Sequence, residues 1–87
     1  MSITFTEAQQ IVKKYISNNN DEDFELVITH IVEKSFGWIF YYNTKAYVET
    51  GDHLDALLGN IPLLVLKKNG DMIGLTHNIM RPILDFD

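Results

Sequence analysis

The sequence contains no cysteine, and this absence removes a disulfide scaffold, a thiolate nucleophile and every cysteine-based zinc motif. No stretch approaches the ~18 apolar residues of a membrane-spanning helix. Met1 to Glu7 carries neither the basic segment nor the apolar segment of a secretory signal. The expectation is a soluble protein of the cytoplasm. Positive charge is scarce too, with 7 Lys and Arg against 12 Asp and Glu for a net charge of −5. That balance argues against a nucleic-acid phosphate footprint and favours a basic protein surface as partner through electrostatic steering.

Several chemical constellations are missing as well. Gly51, Gly59, Gly70 and Gly74 are too scattered for a phosphate-binding loop. The histidines His30, His53 and His77 have no helical ligand spacing, so neither a metal nor another cofactor is expected. Ser2, Ser17 and Ser35 fall in a terminus, a helix end and a turn, without a nucleophile elbow. The chain is therefore read as a binding protein and not as an enzyme.

What is present is enough for one α+β domain over residues 1–87, in which an N-terminal helix packs on an antiparallel sheet of about four strands. A domain this small hides only roughly 60% of its unfolded surface, so its core must be efficient. Ala8, Ile11, Val12, Tyr15 and Ile16 recur on one helical face, and either Thr4 with Glu7 or Thr6 with Gln9 supplies a capping box. The three asparagines 18 to 20 end that helix, and the acidic link Asp21, Glu22, Asp23 follows. With Glu25 this link could mimic nucleic-acid charge against a nuclease, although a solvated connection is its simpler reading.

A first strand is expected from Phe24, with Phe24, Leu26, Ile28, His30 and Val32 on the core face. On that reading His30 is a hydrogen-bonded core residue. A polar turn at Glu33, Lys34 and Ser35 leads into an aromatic strand, Trp38 to Tyr42. There Trp38, Phe40 and Tyr42 share one face and Ile39 and Tyr41 the other. Thr44 to Val48 reads as a strand extension or an irregular bend. Asp52 caps a short helical insertion, residues 53 to 58, closed by Gly59 ahead of the third strand. Ile61 to Leu66 is an inner strand with Pro62 at its start. Asn69-Gly70 predicts a type I′ hairpin with Lys68 opposite Asp71, and Gly74 a bulge in the returning strand. Residues 76–87 form an apolar tail that packs on the domain or mediates a homo-oligomer.

The series Gly37-Trp38-Ile39-Phe40-Tyr41-Tyr42-Asn43, Lys45-Ala46-Tyr47-Val48-Glu49-Thr50-Gly51-Asp52 and Ala56-Leu57-Leu58-Gly59-Asn60-Ile61-Pro62-Leu63-Leu64-Val65 resembles the YrhB domain, the immunity protein 35 family of bacterial polymorphic toxin systems. The three blocks match in order and approximate spacing. Downstream, Gly74-Leu75-Thr76-His77 departs from the family's Gly-Thr segment. The resemblance implies a small cytoplasmic protein that binds and neutralises a cognate protein toxin by occluding its active site. A helix on a four-strand sheet is also the arrangement of cystatin-like inhibitors, which brings a peptidase effector into view by fold analogy. The alternative is a general interaction or chaperone-like module that self-associates.

The expected partner-binding residues are Tyr41, Asn43, Lys45, Tyr47, Glu49, Thr50 and Asp52. Tyrosine is a frequent interface anchor, and Tyr41 is accessible if the helix covers only one face of the sheet. The carboxylates of Glu49 and Asp52 suit a basic partner, while Asp52 also has its capping role.

Overall fold

The computed structural model describes residues 2–18, 25–52 and 61–76, together with Pro82. Helix α1 spans Phe5–Asn18. Of the two capping boxes, the one on Thr4 forms: the Thr4 amide donates to Glu7 Oε1 at 3.0 Å and the Glu7 amide to Thr4 Oγ1 at 3.2 Å. These bonds satisfy amides that no helical carbonyl reaches. The stripe Ala8, Val12 and Ile16 is buried, Ile11 packs at its margin, and Tyr15 is more exposed than its spacing suggests. A helix of this length is marginal alone in water, so its stripe must pack against the sheet.

That sheet is a meander in the order β1-β2-β3-β4, all antiparallel, with β1 at Leu26–Lys34, β2 at Gly37–Thr44, β3 at Leu63–Leu66 and β4 at Met72–Gly74. Trp38, Phe40 and Tyr42 of β2 pack with Leu63, Val65 and the stripe of α1. Phe5, at the head of α1, sets its ring edge-on to Trp38 at 5.8 Å and stacked on Phe40 at 6.2 Å. The opposite face carries Ile39, Leu64 and Leu75, with Val32, Phe36, Tyr41 and Leu66 packed around them. Ile39 and Leu75 have no exposed surface. β2 and β3 are thus packed on both faces, and Tyr41, expected to be accessible if the helix covers only one face of the sheet, is half-buried against the second cluster.

The face assignment of β1 needs a second correction. Its register with β2 shifts between Ile28 and His30, the mark of a β-bulge at Thr29. Leu26 and Ile28 lie on the helix side as expected, but beyond the bulge Ile31 takes that side and packs with the helix cluster. Val32 turns to the second cluster. His30 is exposed and not in the core, with its ring tilted against Tyr41 at 5.8 Å. An extra residue exchanges the faces of everything after it, an effect strict alternation cannot anticipate.

The turn after β3 also differs. Leu66 and not Lys68 faces Asp71: the Leu66 amide donates to the Asp71 carbonyl at 2.9 Å, and the Gly70 amide to the Leu66 carbonyl at 2.8 Å. The loop is therefore four residues long, with Gly70 left-handed at φ 80°. Asn69 holds it from within, its Oδ1 accepting the Asp71 amide at 2.9 Å, so the Asn-Gly pair serves a longer loop than the two-residue hairpin it predicts. Gly74 sits in unbroken register opposite Leu63 and makes no bulge. An added Cβ there would lie 2.7 Å from Cδ1 of Ile61, so the end of that side chain would have to shift to admit one. The expected helix at 53 to 58 and the apolar tail beyond Thr76 lie outside the described residues, and the acidic link and Phe24 do so too.

Two expectations follow for stability. A Cβ at Gly37 would clash with the backbone carbonyl of Val65, so Gly37→Ala should cost ~1–3 kcal/mol in urea unfolding through overpacking between β2 and β3. Burial pushes the Tyr42 hydroxyl above its ordinary value, and neighbouring Tyr15 adds to the effect. The unfolded chain then releases the proton first, so this contribution is complete below the ordinary tyrosine pKa of 10.0 and is lost as pH rises through the folded value. Urea unfolding followed across that range should show a shallower loss of stability in Tyr42→Phe than in the natural sequence.

Candidate interaction surface

The segment after β2 is the clearest departure from the sequence reading. Lys45–Thr50 is a helix, α2, and not a strand extension or a bend. Tyr47 and Val48 favour strands, but both ends of the segment are capped. Thr44 is extended at φ −73°, ψ 148°, and its Oγ1 accepts the Tyr47 amide at 3.1 Å. At the other end Gly51 is left-handed at φ 71° and its amide returns to the Tyr47 carbonyl at 2.7 Å. A start signal and a stop signal seven residues apart outweigh the propensity of the residues between them. α2 is thus the short helix before the third strand, earlier in the chain than the expected insertion.

Thr44 is 4% exposed, which anchors the head of α2 in the domain. Asn43, half-buried, accepts the Thr44 amide on Oδ1 at 2.8 Å. The Lys45 amide donates to the Glu25 carbonyl at 2.7 Å, tying α2 to the residue that leads into β1. Thr50 Oγ1 donates to the Ala46 carbonyl at 2.9 Å and accepts the Asp52 amide at 3.1 Å. Asn43 and Thr50 therefore have structural work to do. The helix that Asp52 was expected to cap lies outside the described residues.

The outward face is built by helical spacing. Lys45, Val48 and Glu49 stand at i, i+3 and i+4 on α2 and are all exposed, with Asp52 exposed just past its end. Lys45 Nζ lies 3.7 Å from Glu25 Oε2 and 4.0 Å from Glu49 Oε1. Such solvent-exposed pairs add little stability, but they hold the amine between two carboxylates. With Asp52 the patch holds three acids and one base. Tyr47 is half-buried on the other side of α2. Tyr41 does not join this patch, because it packs on the second core cluster.

Val48 is the residue that sequence reasoning missed. At 56% it is the most exposed of the large apolar side chains described, and it sits at the centre of the charged face. The Thr44 cap and Gly51 stop were the signal that could have found it, since they convert an alternating pattern into a helical one. A second feature was also missed. A groove of about 670 Å3 runs between α1 and β1, lined by Lys13, Ile16, Leu26, Ile28 and Ile31 among others.

Among the described residues no three histidine or acidic side chains converge as a metal site, and no helix is long and apolar enough to cross a membrane. A family model described as immunity protein 35 matches residues 6–82. A protein of Escherichia coli strain K12, named uncharacterized protein YrhB, is 33% identical over 73 residues, covering 84% of this chain and 74% of that one. No solved structure matches.

Removing the cap tests the local account. Thr44→Ala should cost ~1 kcal/mol in equilibrium unfolding and lower amide-exchange protection at Tyr47, with the β2–β3 amides unaffected in their relative order of exchange.

Proposed function

Because the chain belongs to the immunity protein 35 family, we propose that it is an immunity protein that binds a cognate bacterial toxin in the cytoplasm and neutralises it by occluding the toxin's active site. The match over residues 6–82 carries this reading, since it takes in α1, all four strands and α2. The chain's part in the chemistry is to bind, and no catalytic residue is assigned to it.

The outward face of α2 supports a binding role on physical grounds. Val48 offers an exposed apolar contact ringed by Lys45, Glu49 and Asp52, the arrangement of apolar centre and polar rim that protein interfaces use. The caps at both ends fix this face before a partner arrives, so little ordering entropy opposes association. Three carboxylates around one amine favour a partner with a basic patch, in line with the chain's net charge of −5. Asn43, Tyr47 and Thr50 hold the helix in place, and Tyr41 enters the interface only where the partner reaches round to the second face of the sheet. A peptidase effector is supported by architecture alone, the helix on a four-strand antiparallel sheet.

The test is co-expression with a toxin domain taken from the genes neighbouring this chain's own. Growth should be rescued and a stoichiometric complex should elute on size exclusion. Val48→Asp should weaken that complex by ~10-fold or more, as expected for an anchor at the centre of an interface, while leaving the thermal midpoint unchanged. Continued killing in the presence of the natural sequence would overturn the reading.

A further inference from the structure

The described charges segregate along the sheet. The pairing of β1 with β2 puts Lys34 beside Gly37, where β2 begins, and Leu26 beside Thr44, where β2 hands over to α2. Leu66 pairs with Gly37, so Lys67 and Lys68 leave the sheet at the Lys34 end. That end gathers Lys34, Lys67 and Lys68 against Glu33 and Asp71, while the α2 end gathers Glu25, Glu49 and Asp52 against Lys45. A chain with a net charge of −5 thus has one end where lysine prevails.

Between these lysines lies an apolar hollow. The Lys67 amide donates to the Phe36 carbonyl at 2.9 Å and the Ile3 amide to the Lys67 carbonyl at 2.7 Å, which draws three separate segments together. The hollow, of about 360 Å3, is lined by the half-buried Phe36 and Leu66, with Lys67 beside them and Ser2, Ser35 and Lys68 exposed at its rim. Lys67 is turned to Glu33 at 3.0 Å and to the Trp38 ring. Lys68 is in no ion pair among the described residues.

We infer that this hollow receives the α2 face of a second copy of the chain, with Val48 seated against Phe36 and Leu66 and Glu49 meeting Lys68. The two surfaces are complementary in shape and in charge: an exposed apolar side chain among mainly acidic neighbours meets an apolar recess with a basic rim. They cannot meet within one chain, because they lie at opposite ends of β2, whose eight residues at about 3.4 Å each hold them more than roughly 20 Å apart. A different partner would have to bring an apolar tip between carboxylates, and this chain already carries one on a helix capped at both ends.

The contact is head-to-tail, so every pair of copies keeps one free hollow and one free α2 face and further copies can add. Like ends repel, which disfavours a symmetric pairing of either surface with itself. One helical turn in one hollow is small against a standard interface of ~1,600 Å2, so association is weak and grows with concentration. It covers the α2 face assigned to the toxin, and the two associations exclude each other, but the inference does not rest on the toxin.

Sedimentation of the full chain from micromolar to millimolar concentration tests it. The natural sequence should rise from 10.0 kDa past twice that mass, and high salt should reverse the rise. Val48→Asp and Lys68→Glu should each remain a 10.0 kDa monomer with an unchanged thermal midpoint, since both side chains are exposed. Mixing the two variants should restore a complex that stops at two copies, because Val48→Asp keeps an intact hollow and Lys68→Glu an intact α2 face. A natural sequence that stays at 10.0 kDa throughout, a mixture that remains monomeric, or association that persists in Lys68→Glu alone would each overturn the inference. No toxin enters these measurements, so their failure leaves the toxin-binding role standing.

Discussion

β2 is hydrogen-bonded along both sides and buried on both faces, and the other elements take their places from it. One side pairs with β1 and the other with β3, while Trp38 and Phe40 meet α1 and Ile39 meets the second cluster. Burying a side chain such as Phe40 is worth about 1.5–3 kcal/mol relative to leaving it in water, and β2 contributes such residues in alternating directions. A strand of this kind has no tolerance for an added atom, which is why Gly37 stands where β3 approaches most closely. The open end of the helix-side core is closed by Lys67. Its amine lies 5.2 Å from the centroid of the Trp38 ring and 3.0 Å from Glu33 Oε2, so one lysine covers an aromatic face and pairs with a strand neighbour of that ring.

The outward face of α2 is a consequence of how β2 ends. At the far end of β2 the chain leaves the sheet through a buried threonine and forms α2 at once, so that Lys45, Val48 and Glu49 project from a fixed base. Along β1 a single inserted residue redistributes the apolar side chains between the two faces.

The legible parts of the fold were those where local chemistry and tertiary packing agree. The helix stripe at Ala8, Val12 and Ile16, the Thr4 capping box, the alternation of β2 and the inner position of β3 all follow from periodicity, because nothing later in the chain contradicts it. The faces of β1 after Thr29 were illegible for a specific reason: Ile28 to Val32 is apolar on both parities, so the sequence offers no phase from which to detect a bulge. α2 was hidden by residues that suit a strand, and its two end signals carry the information instead. Most of the residues expected at the candidate site do gather on or beside α2. Tyr41 separates from them, since it is the strand pleat and not proximity in sequence that decides its side.

The meander order has a consequence for how the chain reaches this state. Every pairing in the sheet joins strands adjacent in sequence, and β1 and β2 are linked by only Ser35 and Phe36, so their register can form from contacts between near neighbours. Such hairpins close on a timescale of about 1–10 microseconds, and topologies dominated by local contacts fold faster than those built from distant ones. The β1–β2 hairpin is thus the natural nucleus, with its aromatic face available before α1 docks on it. During that interval Trp38, Phe40 and Tyr42 are exposed together, and the speed of helix docking sets how long an aggregation-prone surface exists in each newly made chain.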